Sequence, residues 1–431
     1  MALTRLSLSN YRCFEDTQDI ELRPLTILLG RNNSGKSALA RAPLVWSTGV
    51  RTDSSAPLDL ELLDEQLLGG FTDLIYGNRP HGNISASFDL ANDNGGEQVQ
   101  LNVEVQNIAE LRTQIVSKLA LKFGKNNVSY TWEQSEGSEL ENQHTVEVNG
   151  QALENIRFRG FLPDILTASR LVQAGDLTNT ARILQDVVRR VTRSFPEIRY
   201  IGPFRERPDR LYRFPSRRPK NVGARGEQAA GILAADMLRD RSKLLQRVNA
   251  ELESCLPGWN IDITERGDMF SLVLTSLSDA SLTVNIADGG AGVAQVLPIF
   301  VQRALDILSP PRRPVLEIVE QPELHLHPAA HAALADLYLE AIRLTSVRFI
   351  VETHSETLLL RLRRRIAEGL DPSFVALYFV DHDGSKASVK KINIDEKGSL
   401  DYWPAGVFSE DYDEARKLTK AQLANGLDDA R

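Results

Sequence analysis

The first residues of the chain alternate between apolar and polar side chains. Residues 3–9 keep this alternation, which predicts a strand because successive side chains of a strand point to opposite faces. Residues 25–29 form a short, mostly apolar run that predicts a second strand. A helix is expected to begin at Gly35, and Pro43 is expected to limit it because proline lacks the N–H that a helix interior needs.

The middle of the chain is predicted to be rich in strands first and helical afterwards. Short alternating segments between residues 83 and 150 are separated by Gly, Asn, Asp and Glu turns, a pattern typical of strands. Two helical stretches are expected at about residues 162–192 and 228–255. The segment between them, residues 202–227, is basic and has the composition of a loop.

The last third of the chain alternates strands with helices, which predicts an α/β fold. The expected strands are residues 269–275, 282–286, 315–319 and 347–352, and the expected helices are residues 293–308, one that opens at Pro328, and residues 356–367. A hairpin over residues 375–392 closes the pattern. Because no heptad pattern is sustained over three or four repeats, no long coiled coil is expected.

A complete phosphate-binding loop follows the second predicted strand. Residues 30–37 read Gly-Arg-Asn-Asn-Ser-Gly-Lys-Ser, which fills every position of the pattern G-x-x-x-x-G-K-[ST] between a strand and a helix. Lys36 would reach the β- and γ-phosphates, and the Ser37 hydroxyl would ligate Mg²⁺. The context argues against a chance glycine-rich turn, so the sequence predicts binding of ATP with Mg²⁺. The candidate nucleotide-binding residues in this loop are Gly30, Asn32, Asn33, Ser34, Gly35, Lys36 and Ser37.

A second acidic site is predicted where another apolar run ends. Residues 315–319 lead directly into Glu320, which Gln321 and a Pro-punctuated loop follow. A phosphate loop needs a carboxylate for Mg²⁺, usually at the end of a buried strand. Read alone, the run could be a strand that ends in a surface acid. Read with the phosphate loop, it predicts that Glu320 and Ser37 hold the metal.

Four blocks of sequence carry a family resemblance. Residues 320–328, Glu-Gln-Pro-Glu-Leu-His-Leu-His-Pro, resemble a block of the OLD-type ATPases, which belong to the ABC-class group with RecF and the SMC proteins. Residues 6–14, 288–298 and 351–355 are similar to that group's opening strand and turn, signature motif and switch-histidine motif. Residues 403–408, Trp-Pro-Ala-Gly-Val-Phe, also resemble the tail of a bacterial subfamily of such ATPases.

The resemblance implies an ABC-type P-loop ATPase head that is formed by both ends of the chain. Residues 1–90 would form the N-terminal lobe with the Walker A motif, and residues 261–395 the C-terminal lobe with the signature, Walker B and switch-histidine motifs. Residues 91–260 would form an α+β insertion, and residues 396–431 a polar tail.

The resemblance also implies an ATP sandwich, in which two heads form a homodimer or a higher oligomer. Each signature motif would cap the γ-phosphate bound by the other head, through Gly290, Gly292 and Gln295. His354 would sense the γ-phosphate, and Arg12 would contact the nucleotide. His327 occupies the position of the D-loop aspartate, near the dimer seam.

Two positions depart from the pattern of the family. The catalytic glutamate expected after Glu320 is Gln321, which can orient a water but cannot take its proton. Either Glu323 or another group then serves as the base, or hydrolysis is slow. The serine expected before Gln295 is Ala294, which removes a hydroxyl that could contact the γ-phosphate. The candidate catalytic residues are Gln321, Glu323 and His354.

Three further groups of residues leave alternatives open. His325, His327 and His331 could hold a metal, although no cysteine or third-ligand spacing supports such a site. Asp381 and Asp383 could belong to a nuclease, but a hairpin turn explains them more simply, and too few residues follow His354 for the nuclease domain of OLD proteins. Arginines and aromatic residues between Arg205 and Arg225 could bind DNA, or could form a solvated loop or contact the head or a partner protein.

Composition narrows the setting in which the protein acts. The chain has 431 residues, a net charge of −8 and only two cysteines, Cys13 and Cys255, which suggests a reduced compartment. The N-terminus lacks the core of a signal peptide, and no apolar stretch approaches the ~20 residues that span a bilayer. A cytoplasmic location without a membrane partner is therefore expected, and any DNA contact would need a local basic patch.

The expected function is that of a nucleotide-switched ATPase. The resemblance places it in bacterial anti-phage defence, where it would control DNA or a separate effector protein, a nuclease or a toxin. The alternatives are an ATPase of DNA repair or genome maintenance, and a scaffold that binds ATP with little turnover. A transporter ATPase fits less well because the chain implies no membrane-coupled partner.

Overall fold

The computed structural model describes residues 2–64, 67–91, 97–132, 144–174, 178–240, 242–403 and 414–422. The strands are β1 Ala2–Ser9, β2 Gln18–Glu21, β3 Leu25–Gly30, β4 Gly82–Ala91, β5 Val99–Ile108, β6 Thr113–Phe123, β7 Asn126–Thr131, β8 His144–Val148, β9 Gln151–Ile156, β10 Phe158–Arg159, β11 Leu162–Pro163, β12 Glu197–Ile201, β13 Tyr212–Arg213, β14 Trp259–Arg266, β15 Met269–Ser276, β16 Thr283–Asn285, β17 Val315–Glu320, β18 Val347–Glu352, β19 Val375–His382 and β20 Ala387–Ile392.

The helices are α1 Lys36–Arg51, α2 Ile165–Ala174, α3 Thr178–Ser194, α4 Ala229–Asp240, α5 Lys243–Leu252, α6 Ala291–Leu308, α7 Pro328–Leu344 and α8 Glu356–Ala367. Short 3-10 segments lie at Leu60–Leu62, Phe71–Leu74, Tyr76–Asn78, Ala109–Leu111, Ile286–Asp288 and Pro372–Phe374. Of the helices in the described ranges, none is longer than the 18 residues of α6, so this part of the chain has no long coiled coil.

A six-stranded sheet forms the centre of the molecule, in the order β12-β17-β18-β3-β19-β20. All of its neighbours pair in parallel except β19 and β20, which form the predicted antiparallel hairpin. Every residue of β3, β17 and β18 is buried, as expected for parallel strands covered on both faces. This sheet with its helices confirms the predicted α/β class.

Successive residues of the central strands belong to two different cores. Leu28, Ile318 and Ile350 share one core with α1, α3 and the strands of a second sheet. Their neighbours in sequence, Ile27 and Val319, share the other core with helices α4 to α8. The period of two along each strand therefore places α1 on one face of the sheet and α6, α7 and α8 on the other.

The second sheet has eight antiparallel strands in the order β2-β1-β4-β5-β6-β7-β8-β9. Its strands come both from the first 90 residues and from the predicted insertion, residues 91–260. Strand β12, which also lies within the predicted insertion, belongs to the central sheet. The division of the chain at residues 90 and 260 stays a prediction. A smaller sheet contains β13, β14, β15 and β16, and β10 pairs with β11.

Helix α1 continues for eight residues past Pro43, so the expectation that this proline limits the helix is wrong. Proline removes one N–H from the helix, but the turns that follow bury Val45, Trp46 and Val50. Trp46 packs against Phe88 and Phe161. Because most helix stability in proteins comes from packing an apolar face, this burial outweighs the loss of one hydrogen bond.

Within the described residues, α6 is the one helix long and apolar enough to cross a bilayer. Most of its length is buried inside the protein, as in the core helix of a globular domain. The tail motif is described only at Trp403, because residues 404–408 lie outside the described residues.

Candidate functional site

The phosphate loop has the predicted context of strand, loop and helix, with β3 ending at Gly30 and α1 beginning at Lys36. Gly30 and Gly35 have φ angles of 153° and 101°, where residues with a side chain are strained. A Cβ atom on Gly30 would collide with the carbonyl oxygen of Val380, and one on Gly35 with Cys13 Sγ. These two positions therefore require glycine.

The polar groups of this loop turn inward. Lys36 is only 3% exposed, and its Nζ donates to the carbonyl of Arg31 at 2.6 Å. Burial lowers the pKa of Lys36, and the nearby Glu352 carboxylate opposes that shift. Within the described part of the chain, the buried Ser34 Oγ has no hydrogen-bond partner. The loop thus closes around a buried cation and an unpaired hydroxyl, both of which suit a phosphate oxygen.

Glu320 lies at the end of β17, as predicted, and faces α1. Both of its oxygens accept hydrogen bonds from Arg41, at 2.5 Å from Nε and 2.6 Å from Nη2. Strand β18 separates β17 from β3, so Glu320 lies two strands away from the strand that carries the phosphate loop. Glu320 therefore lies at the carboxyl edge of the sheet and pairs with Arg41, and its role as a metal ligand stays a prediction.

Glu352 is a site residue that the sequence reasoning missed. It ends β18, lies opposite Glu320 in the parallel register, and is 4% exposed. Burial first, and then the charge of Glu320, raise its pKa to about 7, against a hydrogen bond from the Ser37 side chain. The signal was present, because residues 347–352 form an apolar run that ends in an acid, like residues 315–320.

The predicted catalytic residues follow these two strands. Gln321 has a φ of 45°, and its N–H donates to the Glu352 carbonyl at 2.8 Å. The Glu323 carboxylate accepts from the backbone N–H of His354 at 2.7 Å, and burial raises its pKa. Burial and the charge of Lys36 lower the pKa of His354 to about 4, so this imidazole is neutral at pH 7. Glu323 therefore positions the switch-histidine loop, and the catalytic roles of these three residues stay predictions.

The signature motif begins helix α6 next to the loop that follows β17. Gly290 precedes the helix, and no atom lies within 4 Å of a Cβ placed on it, so this face is open. A Cβ on Gly292 would lie 2.7 Å from the His325 carbonyl oxygen. The Gln295 side chain bonds both main-chain polar groups of Arg205, at 3.2 and 3.0 Å.

Arg205 connects the signature helix to the Walker B loop. Its Nη2 donates to the carbonyls of Glu320 at 2.9 Å and Gln321 at 3.3 Å. This arginine is buried, so it cannot belong to an exposed DNA-binding surface. Arg210 pairs with Asp288 at 2.6 Å. The DNA-binding surface stays a prediction that would depend on the exposed members of the segment, such as Arg213.

The turn that carries Arg12 packs beside the phosphate loop, where Cys13 and Phe14 lie close to Gly35. Arg12 itself has a φ of 52° and donates from Nη2 to the Leu67 carbonyl at 3.2 Å. Its predicted contact with the nucleotide stays a prediction.

Two histidines in and after the Walker B block, His327 and His331, form hydrogen bonds with other groups of the protein. His327 Nδ1 accepts from the Ala329 N–H at 3.2 Å and caps helix α7. His331 contacts Ser355 Oγ at 2.9 Å and the Leu326 carbonyl at 3.2 Å. Across the described residues, no group of three or more His, Cys, Asp or Glu side chains is arranged to hold a metal.

Two family descriptions match parts of the chain. A family described as an AAA ATPase domain matches residues 1–150, and one described as a protein of unknown function, DUF3696, matches residues 370–418. No curated protein matches the chain.

Solved structures of SMC heads are similar over most of the molecule. The SMC head bound to the C-winged-helix domain of ScpA has a TM-score of 0.50 and 11% identity, covering 91% of this chain and 98% of that one. The SMC head domain from Thermotoga maritima has a TM-score of 0.44 and 12% identity, covering 91% and 100%. An SMC head with an extended coiled coil, bound to the C-terminal domain of ScpA derived from Pyrococcus furiosus, has a TM-score of 0.46 and 10% identity. The match covers 91% of this chain and 96% of that one.

The first of these similarities, together with the sheet order and the placement of the phosphate loop, establishes the fold but not the activity. The predicted ABC-type head is thereby confirmed. The chain has the ABC-type fold of an SMC head, of mixed α/β class, with strands from both ends of the chain in its central sheet.

Proposed function

We propose that this protein binds ATP with Mg²⁺ and hydrolyses it slowly, as an ATPase of the OLD/RecF type. The observation that carries the proposal is the phosphate loop, in which two obligatory glycines precede a buried Lys36 at the start of α1. Backbone N–H groups at a helix N-terminus and the lysine cation together favour the phosphates of a nucleotide. The match of residues 1–150 to an AAA ATPase domain supports the same activity.

The residues at the edge of the sheet also fit a magnesium ion. Hydroxyl and carboxylate oxygens are the ligands that this hard cation prefers, and Ser37 and Glu320 supply one of each. When bound, Mg²⁺ would neutralise part of the charge of the phosphates. Glu320 would have to leave Arg41 to reach the ion, since that arginine occupies both of its oxygens.

Slow turnover follows from the groups that surround the expected position of the attacking water. Gln321 can orient a water but cannot accept its proton. Glu323, the other candidate for the base, already accepts a hydrogen bond from His354. A scaffold that binds ATP with little turnover is the second candidate function, and Gln321 is the observation that favours it.

We also propose that two heads dimerise through ATP and act as a switch or clamp. The open face at Gly290 is where a partner's γ-phosphate would approach the signature motif. The similar SMC head is bound to a winged-helix domain of ScpA, and we infer that this chain likewise engages a separate protein. The resemblance to OLD-type ATPases favours an effector of bacterial anti-phage defence, in the cytoplasm, over a role in DNA repair.

Nucleotide binding by the Lys36→Ala variant tests the proposal. A fluorescent ATP analogue should bind the wild-type protein, and the variant should lose at least about 100-fold in affinity because an ion pair to phosphate is removed. The matched control is Lys122→Ala, an exposed lysine on β6. Binding that survives in Lys36→Ala would refute the nucleotide site.

Two further measurements separate the candidate functions. Phosphate release with and without DNA distinguishes a slow ATPase from a scaffold, since a scaffold shows no turnover in either condition. Analytical ultracentrifugation with and without a non-hydrolysable ATP analogue tests the sandwich, because the dimer should form only with nucleotide. A protein that copurifies from the native host would identify the effector.

A further inference from the structure

We propose that Glu352 is a second carboxylate ligand of the magnesium–nucleotide site, beside Ser37. The inference rests on the proposed binding of ATP with Mg²⁺, and it concerns a residue outside the motifs that predicted this binding. Three observations carry it: the placement of Glu352 in the sheet, its unused oxygen, and the engagement of Glu320 with an arginine.

Placement brings Glu352 closer to the phosphate loop than Glu320. Strand β18 lies directly beside β3, whereas β17 is one strand further away. Glu352 pairs in register with Leu28 of β3, two residues before the loop begins at Gly30. Because parallel strands end at the same edge of a sheet, Glu352 projects beside the first turn of α1.

Ser37 connects Glu352 to the expected position of the ion. The Ser37 side chain hydrogen-bonds the Glu352 carboxylate, and the same hydroxyl is the group that ligates Mg²⁺ in a phosphate loop. A cation bound to Ser37 therefore lies within reach of the carboxylate that Ser37 already contacts. The hydroxyl keeps its proton, turns it away from the carboxylate and coordinates the cation through a lone pair, so that the ion lies between the two side chains.

The second oxygen of Glu352 is not used by the protein. Among the described residues, Glu352 Oε2 is buried and has no hydrogen-bond partner. Lys36 Nζ is 4.0 Å from Oε1 and donates instead to the Arg31 carbonyl at 2.6 Å, so it does not form a close ion pair with Glu352. A buried carboxylate oxygen without a partner is costly, and a bound cation removes that cost.

Glu320 is less available than Glu352 to bind the magnesium ion directly. Arg41 binds both of its oxygens in a side-on pair, the arrangement in which arginine and carboxylate interact most strongly. Magnesium is commonly held by one or two carboxylates together with substrate phosphates. Ser37 and Glu352 then form the inner contacts, and Glu320 is the other carboxylate, which acts through water while Arg41 holds both of its oxygens.

Manganese binding monitored by electron paramagnetic resonance tests this assignment. Mn²⁺ is titrated into full-length protein saturated with a non-hydrolysable ATP analogue, for the wild type, Glu352→Gln, Glu320→Gln and Glu356→Gln. Glu356 is an exposed carboxylate at the start of α8 and controls for the loss of one negative charge. Glu352→Gln should weaken Mn²⁺ binding by at least about tenfold and by more than Glu320→Gln, while Glu356→Gln should not.

A Glu352→Gln variant that binds Mn²⁺ as tightly as the wild type would overturn the inference, whatever its rate of hydrolysis. Binding of the analogue in EDTA, without any metal, is measured in parallel for each variant, so that a loss of Mn²⁺ binding is compared only between proteins that hold the nucleotide. If the wild-type protein does not bind the analogue at all, the proposed function fails as well, and the two failures are thereby distinguished.

A Glu352→Cys variant provides an independent test that does not depend on loss of function. A thiolate prefers soft metals, so a cysteine in contact with the ion should shift the preference of the nucleotide-bound protein from Mn²⁺ towards Cd²⁺. The ratio of the two affinities should change by at least about tenfold relative to Glu356→Cys. An unchanged ratio in a folded variant would contradict a direct contact between residue 352 and the ion.

Discussion

Buried acidic side chains occur in two places on the central sheet, and their partners differ. Glu317, in the middle of β17, is fully buried and lies 2.5 Å from Arg303, which is also fully buried. Arg303 contacts Asp306 at 3.0 Å, and Arg199 contacts Asp306 at 2.7 Å. In the interior of the fold, Arg303 and Arg199 therefore form ion pairs with Glu317 and Asp306.

At the carboxyl edge of the sheet, the acids that end β17 and β18 have unequal partners. Glu320 has Arg41, whereas the nearest cation to Glu352 is Lys36, at 4.0 Å. The interior cluster holds α6 against the sheet with its charges matched, and the edge leaves one acid unmatched beside the phosphate loop. Each acid of the interior cluster has an arginine within 3.0 Å, whereas the cation nearest to Glu352 is 4.0 Å away, so the distance to a cation and not burial distinguishes the two places.

The largest expected effect is in the interior cluster. Glu317→Leu should lower the free energy of unfolding by about 3–5 kcal/mol, because it leaves Arg303 buried without its closest carboxylate. Urea denaturation measures the change. The double variant Arg303→Met with Glu317→Leu should recover most of the loss, since apolar groups of similar volume replace both charges. A double variant as unstable as the sum of the single variants would contradict a purely structural pair.

At the edge of the sheet, the contribution of Glu352 to the free energy of unfolding should depend on pH. The folded-state pKa of Glu352 is about 7, above its ordinary value of 4.5, so the folded protein holds a proton that the unfolded chain has released. Its contribution to stability is therefore fully present below about pH 4.5 and is lost as the pH rises to about 7. The expected loss is about 3 kcal/mol in protein free of metal and nucleotide.

Glu352→Gln should abolish that part of the pH dependence. Chemical denaturation of the wild type and the variant between pH 4.5 and 8 gives the difference, which isolates Glu352 from other titrating groups. A difference that does not change with pH would show that Glu352 is ionised throughout, and would place the edge in the same class as the interior cluster.

A third carboxylate at the edge should increase turnover. Gln321→Glu supplies a group that can accept the proton of the attacking water, and general-base catalysis is worth about 100-fold or more. Steady-state phosphate release measures the effect, with Gln321→Ala as the variant that removes the amide without adding a base. If Gln321→Glu is no faster than the wild type, another group already acts as the base.

The smallest expected change concerns His354. Burial and the charge of Lys36 hold its pKa at about 4, so the ring should stay neutral from pH 8 down to about 5. The chemical shift of its ring proton, followed by nuclear magnetic resonance, should therefore be constant over that range. In Lys36→Ala the midpoint should move upwards, because one of the two causes of the low pKa is removed.

The sequence was most informative where pattern and chemistry coincide. Strand β18 and helix α8 have the predicted limits, because an apolar run and the Ser355 cap define them locally. The phosphate loop was predicted from residue types alone, and the structure shows that Gly30 and Gly35 have φ angles that only glycine adopts without strain. The predicted end of α1 at Pro43 was wrong because the packing of Trp46 is a long-range effect that no local rule contains.

The candidate site was predicted only in part, for a similar reason. The sequence marks Glu320 and Glu352 equally well as acids that end apolar runs, but the order of the strands decides which one lies beside β3. Arg205 was grouped with exposed arginines because its neighbours in sequence are basic. Its bonds to the Glu320 and Gln321 carbonyls join segments more than 100 residues apart, which composition cannot show.

The contacts of Arg205 have a consequence for the order of hydrolysis at the two nucleotide sites of the proposed dimer. Gln295 of the signature motif holds the main chain of Arg205, and the Arg205 side chain holds the loop that carries Gln321. In the proposed dimer, a signature motif displaced by the nucleotide of the partner would therefore move the Walker B loop of its own head. Each head would sense whether its neighbour is loaded, so that the two hydrolysis events become ordered rather than independent.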